Sequence, residues 1–584
     1  MTRSAADVGR GLAPARPARP IAAGERIHVV GAAGAGASAA AILAARAGAA
    51  VTACDRSADS PYVAAVEVAG VRVVEGHAAR HVATPVDPGA TGPSSPTSVD
   101  PGATGPSWPA NVDRAAMVAR VDRLAVTKAL TAIDPDHPEL RAARDLGIPV
   151  EPWQQVVADA AATRGARLVG VAGTHGKSTS TGWLVELLWR AGRDPSAFVG
   201  ALLPADVSGP PASTARWGAG PEFVVEADEY AGNFDPYRPA LAVLLNAEWD
   251  HPDVFPDEAA VRDAFERWIR GMEAPGAVPT LVANCGDRGA DRVAARLADW
   301  PGRLVAVALL EEGTDLAGAA DRPGARGDRT DGAADLVTAA DRLRSARRTA
   351  LGPARAVVAR IVAADPDGTT LEIVGLEELG AWEETARPGA SVSARIALPG
   401  RHNAQDALCV AAAAAALGVP VPAVLEGLGA FRGVGRRLEL KGEPRGVAVL
   451  DDYAHHPTAI AATLAAVRQR YPARRLWAVY EPLTYHRTAA LLDRFAEVLA
   501  SGADEVAIAD IWAGRDPDTT VASAEGLAAA VRARGLPGAA APGTVEQTAD
   551  WLAERVRPGD VVLVMGGGHS YRIAARLVES LGRA

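Results

Sequence analysis

A chain of 584 residues, 48% apolar and 22% charged, is too long for a single hydrophobic core and reads as roughly three or four globular domains. A formal net charge of −10 gives no electrostatic reason to expect nucleic acid as a partner. The three cysteines, Cys54, Cys285 and Cys409, are scattered with no metal spacing, and the most apolar window, Ala411 to Val424, is broken by Pro420 and Pro422, so no membrane span is expected.

Residues 1–26 are rich in Ala, Arg and Pro without a signal-peptide core, and are expected to be a disordered lead-in to a cytoplasmic protein. Residues 27–58 read as strand (Ile27 to Val30), glycine-rich turn, alanine-rich helix, then strand (Ala50 to Cys54) ending in Asp55. The glycines run Gly31-x-x-Gly34-x-Gly36, the reverse of the G-x-G-x-x-G dinucleotide spacing, which weighs against NAD. Such a turn still offers N–H groups at a helix start to a diphosphate, with Asp55 placed for a ribose; a plain structural turn is the alternative. A direct repeat, Val86 to Ser94 and Val99 to Ser107, makes 84–112 a Pro/Gly/Ser/Thr-rich insertion unable to bury a core. The first domain is expected over 27–162.

An apolar run, Leu168 to Ala172, leads into Gly173-Thr174-His175-Gly176-Lys177-Ser178-Thr179 and then into helical spacing up to Trp189. Strand, glycine turn, Lys-Ser and helix wrap N–H groups around phosphate oxygens; the Lys adds a point charge and the Ser a hydroxyl for Mg²⁺. The loop is shorter than G-x-x-x-x-G-K-[ST], since Val171 stands where its first Gly would. Only three lysines occur, Lys128, Lys177 and Lys441, so the one inside this loop points to a need for a compact ammonium.

Strands over Glu222 to Val225 and Ala240 to Leu245 deliver Glu226-Ala227-Asp228-Glu229 and Asn246 to His251 at their carboxyl ends, where open α/β sheets bind ligands. Those acids and the His suit Mg²⁺; the alternative is that surface carboxylates collect at strand ends. Residues 311–350 hold few large apolar residues and read as a second insertion within a domain spanning 163–395. A third α/β unit is expected from 396: Leu398 to Asn403, an Ala-rich helix, Phe431 to Arg437, a strand ending in Asp451 to Pro457, then helices 458–470, 487–500 and 523–534 alternating with strands 476–480, 505–511 and 561–565. Gly566 to Gly568 reads equally as a plain turn or a second anion-contact loop.

In chain order, Gly31 to Ser38, Gly173 to Thr179, Glu226 to Glu229, Asp250-His251, Pro399 to Asn403, Gly433 to Arg437 and Asp451 to Pro457 resemble the motifs of the Mur ligases of peptidoglycan synthesis. The resemblance spans nearly the whole chain apart from the insertions and is strongest to the alanine-adding type. It implies an α/β fold of three domains: N-terminal Rossmann-like and UDP-binding, central P-loop ATPase-like, and C-terminal Rossmann-like. It also implies an ADP-forming ligation in which ATP converts the lactoyl carboxylate of UDP-N-acetylmuramate to an acyl phosphate that L-alanine attacks. No nucleic acid or membrane partner is expected, and the chain is expected as a monomer or homodimer.

By the same resemblance Gly31, Gly34, Gly36, Ser38 and Asp55 serve the UDP moiety, and Gly173, Thr174, His175, Gly176, Lys177, Ser178 and Thr179 hold the ATP phosphates. Ser178 and Glu226 take one Mg²⁺ and His251 a second. His402 and Asn403 meet adenine, Arg437 and Asp451 reach the nucleotide, and Tyr453, His455 and Arg487 lie at the incoming amino acid. Lys177, Glu226, His251 and Arg487 form the implied catalytic set. Where the alanine-adding type shows F-Q-P-H-R-Y-S-R-T, Tyr480 to Thr488 keeps Arg487 but has Thr484 for the other Arg, and Ala33 replaces a common Gly. Glu229-Tyr230 and Arg436 to Leu440 look like the relative that reattaches murein tripeptide in recycling, whereas Asp136 to Leu140 favours the alanine-adding type. A nucleotide-binding relative without chemistry is the other alternative, against which Lys177, Glu226 and His251 stand.

Overall fold

The computed structural model describes residues 8–85, 118–310, 332–379, 390–514, 516 and 518–583. The 86–107 repeat, and 311–331 of the second expected insertion, lie outside them. The chain forms two compact units, Asp7–Arg164 and Gly165–Ala584.

The first unit is built on an all-parallel five-stranded sheet ordered Val73–Glu75, Ala50–Asp55, Arg26–Val30, Arg123–Val126, Val150–Pro152. The alanine-rich helix Ala35–Arg46 packs on the helix Trp153–Arg164. Small side chains permit that approach: a Cβ on Gly36 would lie 2.2 Å from the Trp153 ring. Gly36→Ala is therefore expected to destabilise this unit by about 1–3 kcal/mol through overpacking, read as a lower melting temperature.

Residues 8–25 are not a disordered lead-in. Val8 and Ile21 are buried, and the Ala13 N–H donates to Val150 O at 2.8 Å. Arg16 pairs with Glu151 at 2.9 Å and Asp159 at 2.7 Å, and Arg19 with Glu25 at 2.6 Å. Those acids also surround the buried Arg123 guanidinium. An Arg/Pro composition that mimics disorder instead answers a buried acidic cluster, whose charges need partners close by.

The second unit carries a ten-stranded sheet ordered Ser213–Arg216, Ser196–Leu203, Glu222–Ala227, Arg167–Ala172, Leu241–Leu244, Thr280–Asn284, Arg303–Leu309, Arg355–Asp365, Gly368–Val374, Val392–Ile396. Pairings are parallel from Ser196–Leu203 to Arg355–Asp365 and antiparallel at both margins. Its interior strands are near-continuous apolar runs, as two covered faces require. Part of the second expected insertion is ordered: the helix Gly332–Ala346 buries Leu336, Ala340 and Leu343.

The expected start of a third domain at 396 is corrected. Leu398, the Ala-rich helix Arg401–Ala416, and Val424, Leu428, Phe431 and Val434 belong to the core of the ten-stranded sheet. Alanines let that helix lie close to the sheet and to the helix Lys177–Arg190, and Trp183 stacks on Phe431 with centroids 4.7 Å apart. The following six-stranded sheet begins at Glu439 and is ordered Glu439–Gly442, Ala448–Asp452, Val561–Gly566, Leu476–Glu481, Glu505–Ala509, Ala540–Gly543, antiparallel only at its first strand. The helix expected over 487–500 is two, Tyr485–Ala490 and Leu492–Gly502. Among the described residues no helix is long and apolar enough to cross a membrane.

Candidate active site

The strand Arg167–Ala172 lies between Glu222–Ala227 and Leu241–Leu244, so three carboxyl ends open side by side. Gly173 leaves the strand at φ 149°, where a Cβ would stand 3.0 Å from Leu245 Cβ, and Gly176 caps the helix Lys177–Arg190 at φ 79°, where a Cβ would stand 2.5 Å from Asp406 Oδ2. Both positions need glycine. Asn246 braces the loop from both sides: its Oδ1 accepts from the His175 N–H at 2.8 Å, and its Nδ2 donates to His175 O at 3.0 Å. Thr174 Oγ1 donates to Glu248 O at 2.9 Å.

Lys177 Nζ donates to Gly173 O at 2.7 Å and to Glu229 Oε2 at 2.9 Å, and stands 3.5 Å from Asp228 Oδ1. Burial alone would depress the ammonium's pKa, but Glu229, Asp228 and Glu226 hold it above its ordinary value. Burial pushes Glu229 up to about 7, although Lys177 opposes it, while Lys177 and His251 hold Asp228 down against its own burial. Two carboxylates thus compete for one ammonium, in a place where a phosphate would bring more negative charge. Ser178 Oγ donates to Glu226 Oε1 at 3.1 Å and accepts from Arg437 Nη2 at 3.0 Å; Glu226 Oε2 accepts from the Gly200 N–H at 2.6 Å. Thr179 is buried in the first turn behind the loop.

Asp406 lies under the loop, and burial pushes its carboxyl up to about 7. A carboxyl raised from an unfolded value near 4 favours the folded state while protonated and costs stability as the pH climbs through that interval. Asp406→Asn should leave the melting temperature nearly unchanged at pH 4 and raise it relative to the parent at pH 8. A constant difference across that range would place the titration elsewhere.

Glu248 joins this loop to the following domain. It accepts from His175 at 3.1 Å, from Thr458 Oγ1 at 2.7 Å and from Arg494 at 3.1 Å, with His456 alongside. Burial alone would raise it, but His175, His456 and Thr458 hold it at about 2. Arg487 Nη2 donates to Asp250 Oδ1 at 2.8 Å and to His251 Nδ1 at 3.2 Å, and both members of this ion pair are buried. His251 takes a left-handed backbone, φ 56°, and clusters with Asp228 and Glu229, one donor atom of each within 4.8 Å of the others. Arg437 lies over the Tyr453 ring at 4.9 Å.

Residues 26–164 match the family model described as "Mur ligase family, catalytic domain", and 436–568 the one described as "Mur ligase, glutamate ligase domain". Over 491 residues, covering 80% of this chain and 87% of the relative, the chain is 36% identical to a UDP-N-acetylmuramate–L-alanine ligase of Frankia casuarinae. The chain belongs to the Mur ligase family. Its fold is similar to the crystal structure of a UDP-N-acetylmuramate–alanine ligase from Thermotoga maritima, TM-score 0.65 at 20% identity over 95% of this chain and 98% of that one. It is also similar to a murein peptide ligase from Psychrobacter arcticus, TM-score 0.61 at 22% identity over 96% and 99%.

In this Mur ligase several implied contacts are otherwise engaged. Asp451 is buried in its strand beside Arg436 Nε at 3.3 Å, with burial pushing it up to about 6. Asn403 Nδ2 donates to Pro399 O at 2.7 Å, closing the turn before its helix. His402 and His455 are pushed down by burial, His402 to about 4, which makes both neutral rings; His455 Nδ1 lies 2.9 Å from Tyr453 O. In the first unit Gly31, Gly34 and Asp55 share one turn, Asp55 Oδ2 accepting from the Ala33 N–H at 2.9 Å. Gly36 faces Trp153, and the buried Ser38 hydroxyl donates to Ala35 O at 2.8 Å, so both are committed to helix packing.

The structure adds Glu229, Asn246, Glu248 and Arg436 to the residues that shape the site. The rule that ligands bind at strand carboxyl ends also covers the first three, which follow the strands Glu222–Ala227 and Leu241–Leu244. Arg436, whose Nη2 donates to Gly566 O at 2.9 Å, lies within the Gly433 to Arg437 motif, which assigns it no role of its own.

Proposed function

We propose that this Mur ligase joins L-alanine to the lactoyl carboxylate of UDP-N-acetylmuramate, forming ADP through an acyl phosphate, as a cytoplasmic step of peptidoglycan precursor synthesis. The observation that carries the reading is the Gly173–Thr179 loop with Lys177 among acids and Ser178 against Glu226, in a chain 36% identical to a ligase of that name. A carboxylate is a poor acyl donor, and phosphorylation makes it reactive toward an amine. Phosphoryl transfer asks mainly for positioning and charge neutralisation, and neither requires a nucleophilic side chain.

The loop N–H groups and Lys177 hold the outer phosphates, Lys177 exchanging Glu229 for a phosphate oxygen. Arg437, already on Ser178, brings the C-terminal domain onto the same phosphates. The Ser178 hydroxyl and Glu226 carboxylate form a hard oxygen pair that fits Mg²⁺, which when bound neutralises charge on the transferring phosphoryl group. Asp228, Glu229 and His251 offer a second set of donors. Gly31, Gly34 and Asp55 orient the UDP moiety, and Arg487 with Tyr453 and His455 receives the amine substrate.

The test is ADP release with ATP, UDP-N-acetylmuramate and a panel of amines: L-alanine, glycine, L-serine and murein tripeptide. Release that requires the sugar nucleotide and is fastest with L-alanine supports the reading. Preference for the tripeptide would move the chain to the recycling reaction of the relative that Glu229-Tyr230 and Arg436 to Leu440 resemble, and release indifferent to any amine would sink the ligase assignment.

A further inference from the structure

Four of the chain's eleven histidines converge on one carboxylate in the first unit, next to the turn of Gly31 and Asp55 but through side chains that have no assigned role. Glu139 opens the helix Pro138–Asp145 and is fully buried. Its Oε1 lies 2.6 Å from His81 Nδ1, 3.1 Å from Cys54 Sγ and 3.7 Å from His28 Nε2, and Cys54 Sγ lies 3.3 Å from His28 Nε2. His77 Nδ1 and His137 Nδ1 each lie 3.4 Å from Oε2, and His77 Nδ1 is also 3.3 Å from Cys54 Sγ. Bonds of 2.0–2.3 Å to a tetrahedral ion put its donor atoms about 3.3–3.8 Å apart, near most of these separations. The short His81 contact is a hydrogen bond that an ion would open.

Two further observations point to a ligand. His28 Nδ1 is held by Thr52 Oγ1 at 2.8 Å, which fixes the ring and aims Nε2 at the cluster, the outer contact by which proteins orient a metal-binding imidazole. Glu139 Oε2, His81 Nε2 and both ring nitrogens of His137 are buried without a hydrogen bond. Buried polar atoms are nearly always satisfied, and two of these four, Glu139 Oε2 and His81 Nε2, belong to side chains of the His28, Cys54, His81 and Glu139 group.

We propose that His28, Cys54, His81 and Glu139 bind a borderline-soft divalent metal ion, zinc by their donor chemistry, in the first unit of this protein. Thiolate with imidazole selects such an ion over Mg²⁺, which keeps the site chemically distinct from the oxygen donors at Ser178 and Glu226. The closed, buried setting, with His28, Cys54 and Glu139 almost inaccessible, is that of a structural ion rather than one with an open position for substrate. Burial and the neighbouring Glu139 keep the Cys54 thiol protonated, so binding exchanges its proton for the metal: the S–H bond breaks, the S–metal bond forms, and H⁺ leaves to solvent. Glu139, which burial would raise but His28, Cys54 and His81 hold down to about 2, enters as a carboxylate. The ion would tie the strand ends carrying Val30 and Asp55 to the helix start at Pro138.

The experiment titrates the full chain, stripped with chelator, with Co²⁺ alone and then displaces it with Zn²⁺ in the presence of excess Mg²⁺. Expected are a near-ultraviolet thiolate-to-cobalt band and tetrahedral visible bands that saturate at one ion per chain, resist Mg²⁺, and disappear on adding Zn²⁺. Cys54→Ser should lose the thiolate band although Cys285 and Cys409 remain. Zn²⁺ should raise the melting temperature of the parent, while His81→Asn, at a position near the surface, weakens Co²⁺ binding about tenfold or more. A parent protein without the thiolate band, or a band that survives in Cys54→Ser, overturns the proposal. If Cys54→Ser does not fold, undiminished affinity in His81→Asn overturns it equally.

Discussion

Lys177→Ala should abolish ADP release, lowering kcat on the order of 10³-fold or more, while the protein keeps its fold. The ammonium sits at the start of the helix Lys177–Arg190, 2.9 Å from Glu229 and 3.5 Å from Asp228, where an incoming triphosphate would compete with those acids for it. Without it, phosphate charge would meet Glu226, Asp228 and Glu229 with no side-chain cation on the loop to offset them. Folding survives for a specific reason: burial already pushes the Glu229 carboxyl up, so it can take up a proton once Lys177 is gone and need not stay a buried charge. Lys177→Arg should be nearly as inactive, because a planar guanidinium does not replace a compact ammonium within the turn. Circular dichroism establishes the fold and a coupled ADP assay the rate; turnover like the parent's in Lys177→Ala would mean that the phosphates bind elsewhere.

What could be read from the residues alone was local. The strand Arg167–Ala172, the glycine turn and the helix behind it are one continuous signal, an apolar run followed by Gly-x-x-Gly-Lys-Ser, and the acids of Glu226 to Glu229 follow a second apolar run by the same logic. The domain limit near 396 failed because an alanine helix carries no mark of which sheet it covers. Its place in the central core depends on Trp183 and Leu187, far earlier in the chain. The lead-in failed similarly: Arg16 looks solvated until Glu151 and Asp159, more than a hundred residues on, are folded against it. In the cluster of His28, Cys54, His77, His81, His137 and Glu139 only His77 and His81 have a ligand spacing, H-x3-H, and the other members come from strands and a helix start far apart in the chain. Asp55 and Arg487 were legible as polar residues at the right edge, but their partners, Ala33 N and Asp250, were not.

Arg487 offers the second large effect, and its variants separate binding from architecture. Its guanidinium is buried against Asp250 and His251, yet Nε has no hydrogen-bond partner, a spare donor suited to the carboxylate of an amino acid. Arg487→Met should raise KM for the amine by about 10²-fold or more and leave the affinity for ATP near that of the parent. It also strands Asp250, whose carboxylate His251 and Arg487 keep well below its ordinary range despite burial, and breaking such a pair costs about 3–5 kcal/mol of stability. Asp250→Asn combined with Arg487→Met removes both charges and should recover most of that melting temperature without recovering the amine KM. Thr484, one turn earlier at φ 64°, supplies no second guanidinium, so on this proposal Arg487 would carry the carboxylate contact with little help. Melting curves and amine-dependent ADP release on the parent, the two single variants and the double variant complete the cycle. If the double variant regains both stability and KM, the Asp250–Arg487 pair is architecture, and the amine carboxylate is bound by other residues.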